Sequence, residues 1–126
     1  MKVIVIDLDG TLTHDEPDVE YAERRPRLDV IAKLHTYREQ GFRIAIHTAR
    51  NMRSHNSNIG LINASTLPIV LEWLGRHRVP YDEVFVGKPW CGYDGFYVDD
   101  KAIRPDEFVR MSPAEVRKLI GNGDQE

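Results

Sequence analysis

Residues Val3 to Ile6 are four consecutive β-branched side chains, and the acidic turn Asp7-Leu8-Asp9-Gly10-Thr11 follows them directly. A short unbroken apolar run reads as a strand buried on both faces, as in the parallel sheet of an α/β fold. A strand with one wet face would alternate instead. The run is therefore expected to be the first, central strand. Open α/β sheets bind ligands outside the carboxyl ends of their strands, so the carboxylates that end this strand should lie in the binding crevice.

The rest of the chain supplies the other elements of such a fold. Thr11 to Arg25 is polar, contains Pro17 and shows no helical period, so a flap of extended chain and turns is expected over about 11–25. Pro26 suits a first helical turn, Leu28, Ile31 and Leu34 recur at helical spacing, and Gly41 stands where a helix 26–40 would end. Phe42 to His47 is the second strand. The succession strand, helix, strand predicts a right-handed parallel crossover. Asn51 to Asn63, rich in Asn, Ser, His and Arg, predicts a long substrate-side loop over about 51–63. Ser65 or Thr66 can cap a helix with Pro68 in its first turn and Leu67, Val70, Leu71 and Leu74 on one face, ended by Gly75 to Pro80. Val84 to Val86 and Phe96 to Val98 are expected as short strands. Ser112-Pro113-Ala114-Glu115 has the capping-box pattern of a last helix to about Ile120, with a frayed tail from Gly121 to Glu126. The 126 residues, 41% hydrophobic, suit one domain with one core. The expected class is α/β, a Rossmann-like three-layer sandwich around a mainly parallel sheet.

Charge and cysteine content narrow the partners. A formal net charge of −3 lacks the electrostatic footprint of a protein built to hold a nucleic-acid backbone, so a small metabolite is the expected partner. Cys91 is the only cysteine, which rules out an internal disulfide and favours the cytoplasm; it is expected to be a packed or partly exposed thiol. The N-terminal apolar run is far too short for a membrane span or a signal-peptide core, so a soluble, unprocessed protein is expected.

Asp7 and Asp9 are close enough to repel, and a cation is the natural compensator. Mg²⁺ fits because it takes oxygen ligands and commonly bridges one or two carboxylates to a substrate phosphate. Gly10 lets backbone approach a phosphate closely, and the amides of the turn, with Thr11, can donate to it. Asp99-Asp100 ends the expected strand Phe96 to Val98 in the same manner, which would bring a third metal ligand. Thr48, ending the second strand, and Lys88, following the third, offer a hydroxyl and a cation to phosphoryl oxygens. Positioning and charge neutralisation are what phosphoryl transfer asks of a protein. Arg50, Arg53, His55 and Asn56 follow Thr48 and suit phosphate or hydroxyl recognition, or else form a solvated loop. His47 is left outside the site, His14 is undecided, and Trp90, Tyr93 and Phe96 either wall the crevice or pack structurally.

With these residues in order, the chain resembles the haloacid dehalogenase (HAD) superfamily. Asp7-Leu8-Asp9-Gly10-Thr11 resembles its first motif, Ile46-His47-Thr48 the second, Lys88-Pro89 the third and Val98-Asp99-Asp100 the fourth. The resemblance implies a phosphatase in which Asp7 is the nucleophile that becomes an aspartyl phosphate and Asp9 is the general acid and base. It further implies that Thr48 and Lys88 hold the phosphoryl group. Asp7, Asp9 through its carbonyl, and Asp99 would bind Mg²⁺, with Asp100 orienting the site. The phrases Thr48-Ala49-Arg50, Val79-Pro80-Tyr81-Asp82, Gly87-Lys88-Pro89 and Tyr97-Val98-Asp99-Asp100-Lys101 are similar to small phosphatases encoded with capsular polysaccharide biosynthesis, which implies a sugar or polyol phosphate as substrate. Neither gap between motifs has room for a cap domain, so a capless enzyme is expected, its open crevice covered by the flap, the 51–63 loop or a second subunit. The alternatives are a receiver-like phospho-accepting module, disfavoured because the carboxylate pair ends the first strand, and a phosphotransferase or mutase on the same fold. A polynucleotide end-phosphatase is disfavoured by the charge balance.

Overall fold

Val3–Asp7 form β1 in the computed structural model, which describes residues 2–121. Arg43–Thr48 form β2 and Glu83–Val86 form β3. The sheet is parallel with order β1-β2-β3, Val3 facing Arg43 and Asp7 facing His47, then Ala45 facing Glu83 and Thr48 facing Val86. Parallel neighbours need crossovers. Helix α1, Leu28–Glu39, supplies the first, and α2, Ile59–Ser65, with α3, Leu67–Arg76, the second. The α/β class with a parallel sheet expected from the sequence is the class observed.

β2, and not β1, is the middle strand. Ile44 and Ile46 on β2 are fully buried, whereas on β1 Ile6 is buried and Val5 is 64% exposed. The expectation of a central β1 is corrected: β-branched composition records a strand's propensity, while its place in a sheet depends on neighbours far along the chain. The strand expected at Phe96 to Val98 is also absent. These residues lie outside any ladder, with Phe96 79% and Val98 87% exposed. An apolar run of that length becomes a strand only through a paired partner.

Helix α1 buries Val30, Ile31, Leu34 and Tyr37, but Leu28, counted on its apolar face, is 71% exposed. It sits in the first turn, where the chain is still entering the helix. On α3 the buried face is Val70, Trp73 and Leu74, with Trp73 taking the place expected of Leu71. Pro68 stands in the first turn as expected, with Thr66 at the N-cap position. The 51–63 loop is shorter than expected because Asn58 caps α2, its side chain accepting from the Leu61 N–H at 3.0 Å. Ile62 then anchors that helix in the core.

The flap is tied at both ends. Thr13 pairs antiparallel with Pro26, the His14 N–H donates to the Arg25 carbonyl at 2.9 Å, and the Arg27 N–H to the Leu12 carbonyl at 2.7 Å. Leu12 and Thr13, at its root, are fully buried. Farther along, a helical turn at Tyr21–Glu23 seats against α3: the Trp73 indole N–H donates to the Arg24 carbonyl at 2.8 Å and Arg76 donates to the Ala22 carbonyl at 2.6 Å.

The chain divides into two compact units between Trp90 and Cys91. The second contains α4, Pro105–Arg110, not foreseen from sequence, and α5, Pro113–Leu119, entered through the expected capping box of Ser112 and Glu115. Residues 122–126 of the expected tail lie outside those described. Among the described residues no helix is long and apolar enough to cross a membrane.

Candidate active site

The parallel register brings the carboxyl ends of β1, β2 and β3 to one edge, and that edge carries Asp7, Thr48 and, just past β3, Lys88. The Lys88 N–H donates to the Thr48 carbonyl at 3.2 Å, which extends the ladder past the last strand residue. Lys88 Nζ lies 3.5 Å from Asp7 Oδ1, and the Thr11 hydroxyl donates to Asp7 Oδ2 at 3.2 Å. Burial pushes the Asp7 carboxyl above its ordinary value, and the Lys88 cation and the Thr11 hydrogen bond pull it part of the way back. Burial, then the nearby Lys88 charge, lowers His47.

Residues 8–12 form a tight turn in which Leu8 and Leu12 are buried as anchors. The Thr13 N–H reaches back to the Leu8 carbonyl at 3.1 Å and the Gly10 N–H donates to the Thr13 hydroxyl at 3.2 Å. Gly10 has φ +82°, a left-handed conformation in which a side chain is disfavoured. The buried leucines thus hold the turn so that Asp7, Asp9 and Thr11 fall on its polar side. A cleft of about 520 Å³ opens beside Gly10, lined by His14, Asp15, Arg27 and Asp29 among others.

Asp9 is held by two arginines. Arg50 donates from Nε to Oδ2 at 3.0 Å and from Nη2 to Oδ1 at 2.8 Å, and Arg24 donates from Nη1 to Oδ1 at 3.0 Å. Both guanidinium groups lie over the Tyr21 ring, at 4.1 Å for Arg50 and 4.5 Å for Arg24. The Arg50 side chain is 0% exposed, so a residue expected on a substrate-recognition loop is instead buried against a carboxylate. Thr48 explains part of this: its buried hydroxyl accepts the Arg50 N–H at 3.0 Å, turning the chain inward after β2 and leaving the hydroxyl its own proton to donate. Sequence gave no sign of Arg24 or Tyr21, one cation and one aromatic ring in a polar flap.

Arg53, His55 and Asn56 make local contacts of their own. Arg53 lies 5.6 Å from the Trp90 ring, His55 contacts the Ser65 hydroxyl at 3.4 Å, and Asn56 sits in a turn at φ +51°. Asp99 and Asp100 belong to the second unit, where the Asp99 carboxylate accepts the Lys101 N–H at 2.9 Å. Among the described residues no group of three or more His, Cys, Asp or Glu side chains is placed to hold a metal. The donor chemistry at the turn nevertheless suits Mg²⁺: Asp7 and the Asp9 main chain offer hard oxygens, and this ion keeps waters and needs only one or two carboxylates besides a phosphate.

The chain is 54% identical to a structural-genomics target from Vibrio cholerae of known crystal structure, over 97% of this chain and 98% of that one, with a TM-score of 0.92. The two proteins belong to one family. More distant is the Pnkp1/Rnl/Hen1 complex, 18% identical over 86% of this chain and 33% of that one, with a TM-score of 0.50, a likeness of fold alone. A D,D-heptose 1,7-bisphosphate phosphatase from B. bronchiseptica, complexed with magnesium and phosphate, is 16% identical over 76% of this chain and 54% of that one, at a TM-score of 0.48. No family model and no curated protein matches the sequence.

Proposed function

We propose that this protein is a Mg²⁺-dependent phosphomonoester hydrolase that works through an aspartyl phosphate on Asp7 and takes a small phosphorylated metabolite, a sugar or polyol phosphate by preference. The observation that carries this reading is the Asp7 carboxylate at the end of β1, with Lys88 at 3.5 Å, the Thr11 hydroxyl at 3.2 Å and Asp9 on the same glycine-containing turn. The cleft beside Gly10, with His14, Asp15, Arg27 and Asp29 on its wall, offers room for a hydroxylated leaving group.

Asp7 attacks phosphorus as the ester bond breaks, and Asp9 gives a proton to the departing oxygen. Water then attacks the aspartyl phosphate, Asp9 takes its proton, and the bond between phosphorus and Asp7 breaks to regenerate the carboxylate. Lys88 and the Thr48 hydroxyl neutralise and orient the phosphoryl oxygens while the amides of the turn approach them. Asp7 and the Asp9 carbonyl would hold Mg²⁺, and the sequence resemblance adds Asp99 as a ligand with Asp100 beside it. When bound, the ion supplies charge neutralisation at the transferring phosphoryl group.

The test is phosphate release from a panel of phosphorylated sugars, polyols, nucleotides and amino acids. Release should require Mg²⁺, stop on chelation by EDTA and return when the ion is restored. A folded protein inert toward the whole panel, or a fully active Asp7→Asn variant, contradicts the reading. A long-lived phosphoprotein without turnover would point to a phospho-accepting signalling module, and trapping by an added alcohol to a phosphotransferase.

A further inference from the structure

We propose that the cleft beside Gly10 receives the leaving group of the substrate and selects an uncharged, hydroxylated one, with Asp29 and Asp15 turning away a second phosphate; this rests on the phosphatase reading above. Gly10 lies between Asp9 and Thr11 on the turn that follows Asp7, and it also forms part of the wall of the cleft. A Cβ added there would meet nothing within 4 Å, so no side chain crowds the passage from the turn into the cleft. The rest of the wall is tied to the turn through the backbone. The Arg27 N–H donates to the Leu12 carbonyl at 2.7 Å, and Thr13, whose hydroxyl accepts the Gly10 N–H, pairs with Pro26. The cleft therefore keeps a fixed place beside the Asp7 turn.

Two features of this wall would ordinarily draw an anion: the start of α1 and the Arg27 guanidinium. Asp29 already occupies both. Its Oδ1 accepts the Val30 N–H at 2.8 Å, and its Oδ2 accepts from Arg27 Nη2 at 3.0 Å. The Arg27 hydrogen bond holds the Asp29 carboxyl below its ordinary value, so the negative charge is kept. Asp15, exposed on the same wall, adds a second carboxylate. The charged side chains of the cleft are thus two acids and one base, and the base is spent on one of the acids. A second phosphate on the leaving group would be repelled, and exclusion of this kind discriminates between substrates as attraction does. Hydroxyl groups are accepted, because they can donate to the carboxylates in place of water. Leu28, 71% exposed on the same wall, offers an apolar surface to the C–H face of a sugar or polyol and nothing to an anion.

The experiment measures kcat/KM, with Mg²⁺ in excess, for pairs of sugar or polyol phosphates that differ only in a second phosphate at the far end. The proteins are wild type, Asp29→Asn, Asp15→Asn and the Asp29→Asn/Arg27→Gln double variant. Wild type should prefer the monophosphate by about tenfold or more. Asp29→Asn keeps an oxygen for the Val30 N–H and removes the charge that neutralises Arg27. Its kcat/KM should rise about tenfold for the bisphosphate and fall about threefold for the monophosphate, both through KM. Replacing Arg27 as well should cancel the gain. Asp15→Asn should favour the bisphosphate in the same direction but more weakly. Equal use of both members of each pair by wild type would overturn the inference and leave the phosphatase reading standing. Asp29→Asn effects that are the same for both members, or that fall on kcat, would assign Asp29 to the start of α1 and overturn it too. If Asp29→Asn fails to fold, Asp15→Asn, at an exposed position, decides by the same ratio. A wild type inert toward both members of every pair overturns the phosphatase reading itself, and the inference with it.

Discussion

Trp73→Phe should destabilise the protein by about 2–3 kcal/mol, although Trp73 touches no residue of the Asp7 turn by any bond described. The indole is fully buried on α3 and its N–H donates to the Arg24 carbonyl at 2.8 Å. Phenylalanine removes two ring carbons from the core, at about 0.8 kcal/mol each. It also leaves the Arg24 carbonyl without its donor, which costs about 1 kcal/mol more. The sum is about 2.5 kcal/mol before any residual void is counted. Urea unfolding followed by circular dichroism measures it, and the midpoint should fall by about 1 M at an unchanged slope. A loss of stability below about 1 kcal/mol would refute the assignment of Trp73 as the anchor of the flap. A changed slope would show that the substitution altered more than this contact.

Two further substitutions separate chemistry from folding. Asp7→Asn should abolish phosphate release and yet stabilise the metal-free protein near neutral pH. Burial raises the Asp7 carboxyl in the folded state, so the proton it prefers to keep is absent there at neutral pH, and the amide removes that penalty. The advantage should shrink as the pH falls through the raised folded value and vanish below the ordinary aspartate value, where the carboxyl is protonated in both states. Thermal melts in EDTA across that range check the sign, and a variant less stable than wild type at neutral pH contradicts it. Gly10→Ala should cost about 1 kcal/mol through its left-handed backbone alone. An added methyl meets nothing within 4 Å there, so a loss several times larger would mean that the turn is held by more than the contacts described.

Much of the fold and of the Asp7 turn was legible because both depend on local rules. A run of β-branched residues, a Pro in a first helical turn and a Ser-x-x-Glu box each act within a few positions, and β1, α3 and α5 follow them. The errors came where the deciding partner is remote. Val3 to Ile6 has the same composition at the edge of a sheet as at its centre, and Phe96 to Val98 has strand composition with no ladder to join. Asn58 was lost among the polar residues of its loop, though its side chain is what starts α2. The arginines make the same point about the site. Arg24 lies fifteen and Arg50 forty-one residues from Asp9, so nothing local marks either as its partner. Near a phosphate site a cation is naturally assigned to the phosphate, as Arg50 was. The structure gives the resident carboxylate the prior claim: Asp9 is present before any substrate arrives, and a buried guanidinium needs a permanent anion more than an occasional one. Lys88 lies on the other side of that distinction. At 3.5 Å from Asp7 and partly exposed, it is the cation that the proposed mechanism assigns to the phosphoryl group.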